Sequence, residues 1–239
     1  MYNNVRCIAI VLAGGSGKRM GLEISKQFLK LNGKPIIAYT LEKFSDVDEI
    51  DDIILVTKPE YIDYCKKEII DKYGIKKVSD IVCGGRERQE SVFKGLQAVK
   101  DENSIVLIHD GVRPFVSKSH IFETIKGAYE SGGCILGVRA NDTIKICDDN
   151  NLVASTLDRN RLWYIQTPQT FKYSLIYNAH CDADKSGFFA TDDSMIAEKS
   201  GIPVKVIEGS YDNIKLTTIE DITIAKAIID SQKEKGEIK

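Results

Sequence analysis

Short apolar runs alternate with amphipathic segments along most of the chain. The runs are rich in β-branched residues and mostly lack polar alternation, so they predict buried strands of a largely parallel sheet. These predicted strands are Ile8–Leu12, Ile53–Thr57, Ile81–Cys83, Ile105–His109, Ile135–Val138 and Val204–Ile207. The segments between them have apolar residues at helical spacing and predict helices at Ile36–Phe44, Tyr61–Tyr73, Ser91–Val99 and Ile121–Tyr129. We therefore expect a three-layer α/β fold, with right-handed crossovers and helices on both faces of a mostly parallel, twisted sheet.

Two later segments differ from this alternation. Thr217-Thr218-Ile219-Glu220-Asp221 is typical of a helix start and predicts a closing helix. In residues 139–162, the strand-like pieces Thr143–Cys147 and Val153–Leu157 flank a turn-forming cluster of Asp and Asn, which predicts a protruding β-hairpin arm. An isolated hairpin is only marginally stable in water, so we expect the arm to pack on a second subunit and form a homodimer.

Length and composition are those of an ordinary globular protein. At 239 residues, with 28% charged and 43% hydrophobic residues, the chain predicts one domain spanning 1–239, and the composition argues against disorder or coiled coil. The formal net charge of -2 provides no overall field that would attract DNA, RNA or anionic lipid. For that reason no nucleic-acid partner is expected. No membrane partner is expected either, because no run approaches the ~20 apolar residues of a membrane span.

The cysteines favour a reducing compartment. The six of them are scattered without a C-x-x-C pair, which argues against a zinc site. The first apolar run leads into glycines and not into a cleavage site, so a secretory leader is not expected. Reduced thiols in the cytoplasm fit this pattern best.

A glycine-rich loop follows the first predicted strand. Glycines at 14, 15 and 17 allow backbone N–H groups to turn toward a bound phosphate, and Lys18, Arg19 and Lys26 add positive charge. A tight turn with a solvated charge cluster is the alternative, but loops of this length in compact domains are often functional. The pattern predicts a triphosphate site.

Two familiar phosphate loops do not fit. A Walker A motif needs glycine where Leu12 stands and Ser or Thr where Arg19 follows Lys18. A dinucleotide fingerprint would place Met20 at its third glycine, and the second strand ends at Thr57-Lys58 without a ribose-binding acid. Both an ATPase of that class and a dehydrogenase are disfavoured.

Seven blocks in order resemble the cytidylyltransferases that act on methylerythritol 4-phosphate in non-mevalonate isoprenoid synthesis. The resemblance covers nearly the whole chain and implies a Rossmann-like nucleotidyltransferase fold. It begins at the glycine loop, 12–21 with 26–28. The other blocks are Gly84–Val92, His109–Pro114, Asp142–Lys145, Asp158–Asn160, Thr167–Gln169 and Asp212–Lys215.

The resemblance assigns roles to particular residues. It implies catalytic roles for Arg19, Lys26 and Lys215. It implies nucleotide binding by Ala13, Gly14, Gly15, Ser16, Gly17, Gly84, Gly85, Ser91, Asp110 and Gly111. It implies substrate binding by Thr143, Arg159, Thr167, Arg113 and Asp212, with Thr143 and Arg159 reaching the site of the neighbouring subunit from the arm.

The position of two of these residues can also be argued without the resemblance. Asp110 follows a predicted strand, and open α/β sheets bind ligands at the carboxyl ends of their strands; a capping Asp paired with Arg113 is the alternative. Ser91 can contact a base or cap a helix that begins at Glu90 or Ser91 itself. His109 is expected in the core, and His120 and His180 at the surface.

The implied reaction joins the CMP part of CTP to methylerythritol 4-phosphate and releases pyrophosphate. Negative charge crowds the reacting phosphates, so cations must dominate the site, and Mg²⁺ bound to CTP is the implied cofactor. No side-chain metal site is predicted, although Asp110 could meet the ion. A catalytic His is not required, because a phosphate monoester is already ionised near neutral pH.

Three alternatives remain open from the sequence. A sister group that makes CDP-ribitol from ribitol 5-phosphate shares most of the blocks, although Asp158–Trp163 and Asp212–Lys215 look more like the methylerythritol enzymes. A non-catalytic nucleotide-binding regulatory module would bind CTP without turnover. A sugar transferase that uses a nucleotide sugar is disfavoured, because no Asp-x-Asp motif follows a central strand.

Overall fold

The computed structural model of the protein describes residues 1–15 and 25–234. Ser16, Gly17 and Arg19, named above as site residues, lie outside the described residues. The strands are β1 (Cys7–Leu12), β2 (Lys30–Leu31), β3 (Lys34–Pro35), β4 (Ile50–Thr57), β5 (Val78–Cys83), β6 (Ile105–Asp110), β7 (Gly133–Arg139), β8 (Lys145–Cys147), β9 (Val153–Thr156), β10 (Trp163–Lys172) and β11 (Val204–Glu208). The helices are α1 (Ile36–Ser45), α2 (Ile62–Tyr64), α3 (Arg88–Gln97), α4 (Lys118–Ser131), α5 (Tyr173–Ser186), α6 (Asp193–Lys199) and α7 (Ile219–Glu234).

The described residues form a seven-stranded central sheet in the order β11-β7-β10-β6-β1-β4-β5. β10 is antiparallel to both of its neighbours, and the other recorded pairings are parallel. The predicted mostly parallel sheet is confirmed. From β1 the chain moves outward to β4 and β5 and then returns to β6 on the other side of β1. Such a reversal opens a crevice at the carboxyl ends of the strands.

Side-chain alternation along β1 divides the core between the two faces of the sheet. Cys7, Ala9 and Val11 face the cluster built with α1, α4 and the π-helical segment Cys65–Asp71. Ile8 and Ile10 face the cluster built with α3, α5 and α6. Because both faces are covered, the strand is apolar throughout. The predicted three-layer arrangement is confirmed.

One long strand and two helices are absent from the sequence-based prediction. β10 has four buried Gln and Thr residues before Phe171, so its buried part lacks an apolar run. α5 and α6 follow it and pack on each other and on the sheet. Three of these polar side chains, Gln166, Thr167 and Gln169, are buried with hydrogen bonds that only the tertiary structure supplies.

Two predicted helices have different boundaries. The helix expected at Tyr61–Tyr73 begins with the 3-10 turn Pro59–Tyr61 and continues through α2 into Cys65–Asp71, a π-helical segment. α3 begins at Arg88, with Glu87 at its N-cap position. The interpretation of Glu90 or Ser91 as the N-cap is therefore wrong.

The predicted hairpin arm is confirmed. β8 and β9 pair with each other as a separate two-stranded sheet, and every residue of both strands is exposed. Its apolar side chains include Leu152 and Val153, which are 65% and 60% exposed. No hydrophobic cluster formed by the described residues includes a side chain of β8 or β9.

α7 is the predicted closing helix. It packs its buried Ala225 and Ile229 into a small cluster with Leu31 and Val112, beside the carboxyl end of β6. Among the described residues, no helix has both the length and the apolar character to cross a bilayer.

Candidate active site

A cleft of about 900 Å³ opens at the carboxyl ends of β1, β4, β5 and β6. It is bounded by the glycine loop, the first turns of α3 and the segment before α7. Nine of the residues singled out in the sequence line it, namely Ala13, Gly14, Gly15, Lys26, Gly84, Gly85, Ser91, Asp110 and Lys215. Lys26 and Lys215, 189 positions apart in the numbering, thus share one cleft.

The start of the glycine loop is fixed by hydrogen bonds at Ala13. Its carbonyl oxygen accepts from the side-chain amide of Gln27 at 2.6 Å and from the hydroxyl of Thr57 at 3.3 Å, and its N–H donates to Val56 at 2.7 Å. Gln27 precedes Phe28 in a short 3-10 helix and is almost fully buried. These bonds hold the loop where it leaves β1.

Ser91 connects the glycine loop to the second glycine pair. Its hydroxyl accepts from the N–H of Gly85 at 3.0 Å and donates to the carbonyl of Glu87 at 3.0 Å. An ideal Cβ on Gly14 would lie 4.0 Å from the Ser91 Oγ, so the two glycine segments face each other across this hydroxyl. At these glycines both segments offer backbone groups, and no side chain, to the cleft that they line.

Asp110 is the negative centre of the site. Its carboxylate lies 2.7 Å from the Lys215 Nζ, 3.4 Å from the Arg88 Nε and 3.8 Å from the Arg113 Nε. Burial alone would raise the pKa of Asp110, but the three cations, Arg88 foremost, hold it well below its usual range. The carboxylate is therefore ionised at any physiological pH.

Arg88 carries the charge network behind the cleft. Its Nη2 lies 2.8 Å from the carboxylate of Asp193, which is fully buried at the start of α6. The His180 Nε2 lies 3.4 Å from the other oxygen of Asp193. Burial raises the pKa of Asp193, and Arg88 and His180 outweigh that effect and lower it. His180 is 1% exposed, so its predicted surface position is wrong.

Thr167 lies behind Asp110. Its hydroxyl accepts from the N–H of Asp110 at 3.1 Å and lies 3.0 Å from the His109 Nδ1, and the His109 Nε2 lies 3.1 Å from the carbonyl of Arg113. A carbonyl only accepts, so Nε2 carries the proton and Nδ1 accepts from the hydroxyl. Burial lowers the pKa of His109 to about 4, so the ring is neutral at pH 7. The predicted core position of His109 is confirmed.

Lys215 is brought to Asp110 by the segment around Asn213. The Asn213 side chain is fully buried and donates to the side-chain oxygen of Gln166 at 3.2 Å and to the carbonyl of Thr167 at 3.0 Å. The carbonyl of Asn213 accepts from the Arg113 Nη1 at 2.7 Å. This segment therefore docks along β10 and places the lysine over the end of β6.

Several residues named from the sequence do not line the cleft of their own chain. Thr167 and Arg113 are held in the network behind it, and the exposed Thr143, Arg159 and Asp212 are not among its lining residues.

Gly111 is also outside the cleft lining. Its N–H donates to the carbonyl of Leu12, and its own carbonyl accepts from the hydroxyl of Thr40. A Cβ at this position would lie 2.6 Å from the Ile37 Cδ1 and 2.7 Å from the Leu12 oxygen. Close packing between the end of β6 and α1 therefore requires glycine here.

Three residues that shape the site were not singled out in the sequence. Arg88 and Asn213 lie inside blocks that carry the family resemblance, so that resemblance could have identified them. Asp193 follows Asp192 in a polar segment, and its partner Arg88 is 105 positions away. Only the folded chain reveals that pairing.

The side chains that line the cleft fit a magnesium ion whose ligands come mainly from the bound substrate. Among residues 1–15 and 25–234 no group of three or more His, Cys, Asp or Glu side chains could hold a metal. Both oxygens of Asp110 already face cations. Mg²⁺ typically takes one or two carboxylates, phosphate oxygens and water, so a nucleotide would supply most of its ligands.

Known proteins of one family match almost the whole chain. The model of the 2-C-methyl-D-erythritol 4-phosphate cytidylyltransferase family matches residues 7–231. A protein of that name from Alkaliphilus oremlandii is 48% identical over 234 residues, covering 98% of this chain and 99% of its own length. Another of that name, from Clostridium botulinum, is 50% identical over 221 residues, covering 92% and 98%.

Solved structures agree with these sequence relatives. The crystal structure of 4-diphosphocytidyl-2C-methyl-D-erythritol synthase from Anaerococcus prevotii superimposes with a TM-score of 0.83 at 38% identity, covering 95% of this chain and 96% of that one. The 2-C-methyl-D-erythritol 4-phosphate cytidylyltransferase from Francisella tularensis gives 0.78 at 30% identity, covering 93% and 99%. With its fold and nearly its whole length in common with these proteins, the chain belongs to the 2-C-methyl-D-erythritol 4-phosphate cytidylyltransferase family.

Proposed function

We propose that the protein transfers CMP from CTP to the phosphate of 2-C-methyl-D-erythritol 4-phosphate and releases pyrophosphate. The observation that carries this proposal is the convergence of Lys26, Lys215 and two facing glycine segments on one cleft. The names of the relatives at 48–50% identity supply the acceptor. The reaction belongs to the synthesis of isoprenoid precursors.

In this proposal the cytosine base lies against the two glycine segments in the cleft that they line. Ala13, Gly14, Gly85 and Ser91 surround it, and their backbone groups and the Ser91 hydroxyl can donate and accept hydrogen bonds at its edge. Gly15 leads the loop toward the triphosphate. The proposed contacts of Ser16 and Gly17 lie outside the described residues.

Cations of the site neutralise the charge that builds at the α-phosphorus. An oxygen of the acceptor phosphate attacks that phosphorus in line, a new P–O bond forms, and the bond to the oxygen bridging to the β-phosphorus breaks, so pyrophosphate leaves. Both lysines line the cleft, Lys26 beside Gly15 of the glycine loop and Lys215 beside Asp110. Arg19 is proposed to act with them and lies outside the described residues. Fixed cations lower the barrier because they need not reorganise as the charge develops.

Mg²⁺ is the proposed cofactor. Bound to the phosphate oxygens of CTP, the ion would supply Lewis-acid stabilisation of the leaving group. Asp110 is the residue that would hold it on the protein side, because its carboxylate is buried, ionised and at the carboxyl end of β6.

We propose that the arm completes the site of a second subunit in a homodimer. Leu152 and Val153 are largely exposed in the arm, which favours burial against a partner. In this arrangement Thr143 and Arg159 hold the acceptor phosphate of the neighbouring site, and Arg159 supplies a bidentate fork that Lys lacks. Arg113 and Asp212 would act from the site's own chain. Thr167 acts there through Asp110.

The proposed location is the cytoplasm. The six cysteines are all free thiols, the state that a reducing compartment maintains. The proposed partners are CTP, the polyol phosphate and a second copy of the chain. No nucleic-acid or membrane partner is proposed.

The test is CTP-dependent release of pyrophosphate, measured separately with methylerythritol 4-phosphate and ribitol 5-phosphate. We expect turnover with the first and little with the second; activity on ribitol 5-phosphate alone would overturn the proposed acceptor. Lys26→Ala should keep the fold, checked by thermal unfolding, and lose at least about a hundredfold in kcat. CTP binding without turnover in the wild type would instead favour a regulatory module.

The same assay tests the shared site. If Arg159 acts on the partner's site, Lys26→Ala and Arg159→Ala each inactivate the enzyme alone, but a mixed dimer keeps one site with both residues intact. Random reassociation of equal amounts should then restore about a quarter of wild-type activity. If Arg159 serves its own chain, no mixed dimer has an intact site and activity stays near zero.

A further inference from the structure

Acidic side chains stand at the rim of a cleft that is proposed to bind a triphosphate. Glu90 is one of them, and its side chain is 47% exposed at the edge of the glycine pair formed by Gly84 and Gly85. A carboxylate here repels the phosphates of an incoming nucleotide through Coulomb interaction. If Glu90 nevertheless favours nucleotide binding, its contacts within the protein must contribute more to binding than this repulsion costs.

Those contacts are with the backbone of the turn between β5 and α3. A Glu90 carboxylate oxygen accepts from the N–H of Arg86 at 2.8 Å. One helical turn later, the Lys94 Nζ donates to the carbonyl of Gly84 at 3.2 Å, and it lies 3.5 Å from the Glu90 carboxylate. With the bond from Gly85 to Ser91 described above, three side chains of α3 hold three successive residues of the turn.

The turn also packs directly on the Glu90 side chain. An ideal Cβ on Gly85 would lie 2.5 Å from the Cβ of Glu90 and at least as close to its Cγ and Cδ. This separation is shorter than real nonbonded carbon contacts. Gly85 is thus a position where the backbone passes over Glu90 with no room for a side chain, so the two are fixed relative to each other.

We propose that Glu90 is a positioning residue for the nucleotide: it holds the Gly84–Arg86 turn in the conformation that receives CTP, and so favours binding despite its charge. This inference rests on the proposed binding of CTP in this cleft. Two contacts are enough for the Glu90 carboxylate to hold the turn: the backbone N–H of Arg86 donates to it, and the Lys94 ammonium group balances its charge.

The ionisation of Glu90 agrees with this role. The N–H of Arg86 is the main cause that holds the pKa of Glu90 below its usual range. The carboxylate is therefore charged at neutral pH, and a hydrogen bond to a charged acceptor is stronger than one between neutral groups.

A purely electrostatic role and a positioning role predict opposite changes in the KM for CTP when Glu90 is replaced by alanine. If Glu90 acted only through its charge, Glu90→Ala would lower the KM for CTP, because a repulsive group is removed. Positioning predicts that the KM for CTP rises by about three- to tenfold, the net effect of losing one hydrogen bond at a partly solvent-exposed site, with kcat within about twofold of wild type. Glu90→Gln keeps an oxygen that accepts from Arg86 and should restore most of the affinity.

Glu87→Ala is the matched control for charge. Glu87 stands at the same rim, one helical turn earlier, and its side chain makes no capping hydrogen bond. Its removal deletes the same charge without releasing the turn, so the KM for CTP should stay equal or fall. The contrast between the two alanine variants isolates the hydrogen bond.

The deciding measurements are KM and kcat for CTP, the Kd for CTP by calorimetry, and thermal unfolding of each variant. A Glu90→Ala enzyme whose KM and Kd match or fall below those of wild type would overturn the inference. If that variant loses its fold, Glu90→Asp replaces it, because the shorter acid cannot reach Arg86 and should also raise the KM. A wild-type enzyme that neither binds nor turns over CTP would refute the proposed function itself, which is a separate outcome.

Discussion

The Thr167 hydroxyl predicts a measurable contrast with Thr170, three positions further along β10. Thr167 is 4% exposed and its hydroxyl makes two hydrogen bonds, with the N–H of Asp110 and with the His109 Nδ1. Thr170 is 0% exposed, and its hydroxyl has no hydrogen-bond partner within the described part of the chain. Threonine to valine replaces a hydroxyl by a methyl group of similar size, so each substitution isolates the hydroxyl.

The two substitutions should shift stability in opposite directions. Thr167→Val leaves two buried polar groups without partners at ~1–3 kcal/mol each, so the free energy of unfolding should fall by about 2–6 kcal/mol. For a chain of this length that corresponds to roughly 4–24 °C in Tm. Thr170→Val removes a buried hydroxyl that is unsatisfied, and stability should rise by about 1 kcal/mol.

Urea unfolding followed by circular dichroism measures both changes, with KM for the polyol phosphate measured on the same preparations. If Thr167 contacts substrate, as the sequence resemblance implies, its valine variant would raise that KM with little loss of stability. If it supports Asp110 from behind, stability falls and KM changes little. A Thr167→Val protein as stable as wild type, or two variants shifted in the same direction, would refute the hydrogen-bond assignment.

Two further predictions concern the residues that flank Asp110. Burial holds the pKa of His109 at about 4 against 6.5 in the unfolded chain, so the unfolded state binds the proton first and stability falls as the pH drops through that window. Between pH 7 and pH 5 the protonation of His109 in the unfolded chain should lower the free energy of unfolding by about 2 kcal/mol. The His109→Gln variant should not show this loss. If the free energy of unfolding falls equally with pH in both proteins, the prediction is wrong. Gly111→Ala should destabilise by about 1–3 kcal/mol, because the Leu12 oxygen cannot move away from the new methyl group, and a Tm equal to that of wild type would show that the end of β6 has room.

The sequence predicted the parts of the fold whose signal is local. β1 and the runs Ile53–Val56 of β4 and Ile105–Ile108 of β6 are apolar because both faces of the sheet are covered, and that pattern identified them. The later part of β10 is also buried, but it is mostly polar, and several of its side chains have distant hydrogen-bond partners, such as Asp192 for Gln169. A buried polar strand has the composition of a loop until its partners are known.

The candidate site also has features that the local sequence predicts and features that depend on distant partners. Glycines after a strand, combined with separated basic residues, indicate a phosphate site from the sequence alone, whereas glycines without those charges are common in ordinary turns. Whether a side chain contacts the ligand or supports another residue depends on where its donors and acceptors end up. Thr167 and Gly111 were placed among the ligand contacts by resemblance, and the fold occupies their hydrogen-bonding groups within the protein.

The acids of this site explain how its cations can be assembled before substrate arrives. Arg88, Arg113 and Lys215 would repel one another if they were brought together alone, and Asp110 and Asp193 lie among them at 2.7 to 3.8 Å. The cluster thus has three cations and two acids. The acids reduce the repulsion among the cations in the absence of a ligand, and the remaining positive charge still attracts an anion. Arg88 is held by two carboxylates, which fixes its direction and reduces the reorganisation that a bound phosphate would require. The same pairing explains why a site for polyanions contains a fully buried carboxylate: Asp193 lies outside the cleft lining and holds the Arg88 Nη2, while the cleft residue Asp110 faces its Nε.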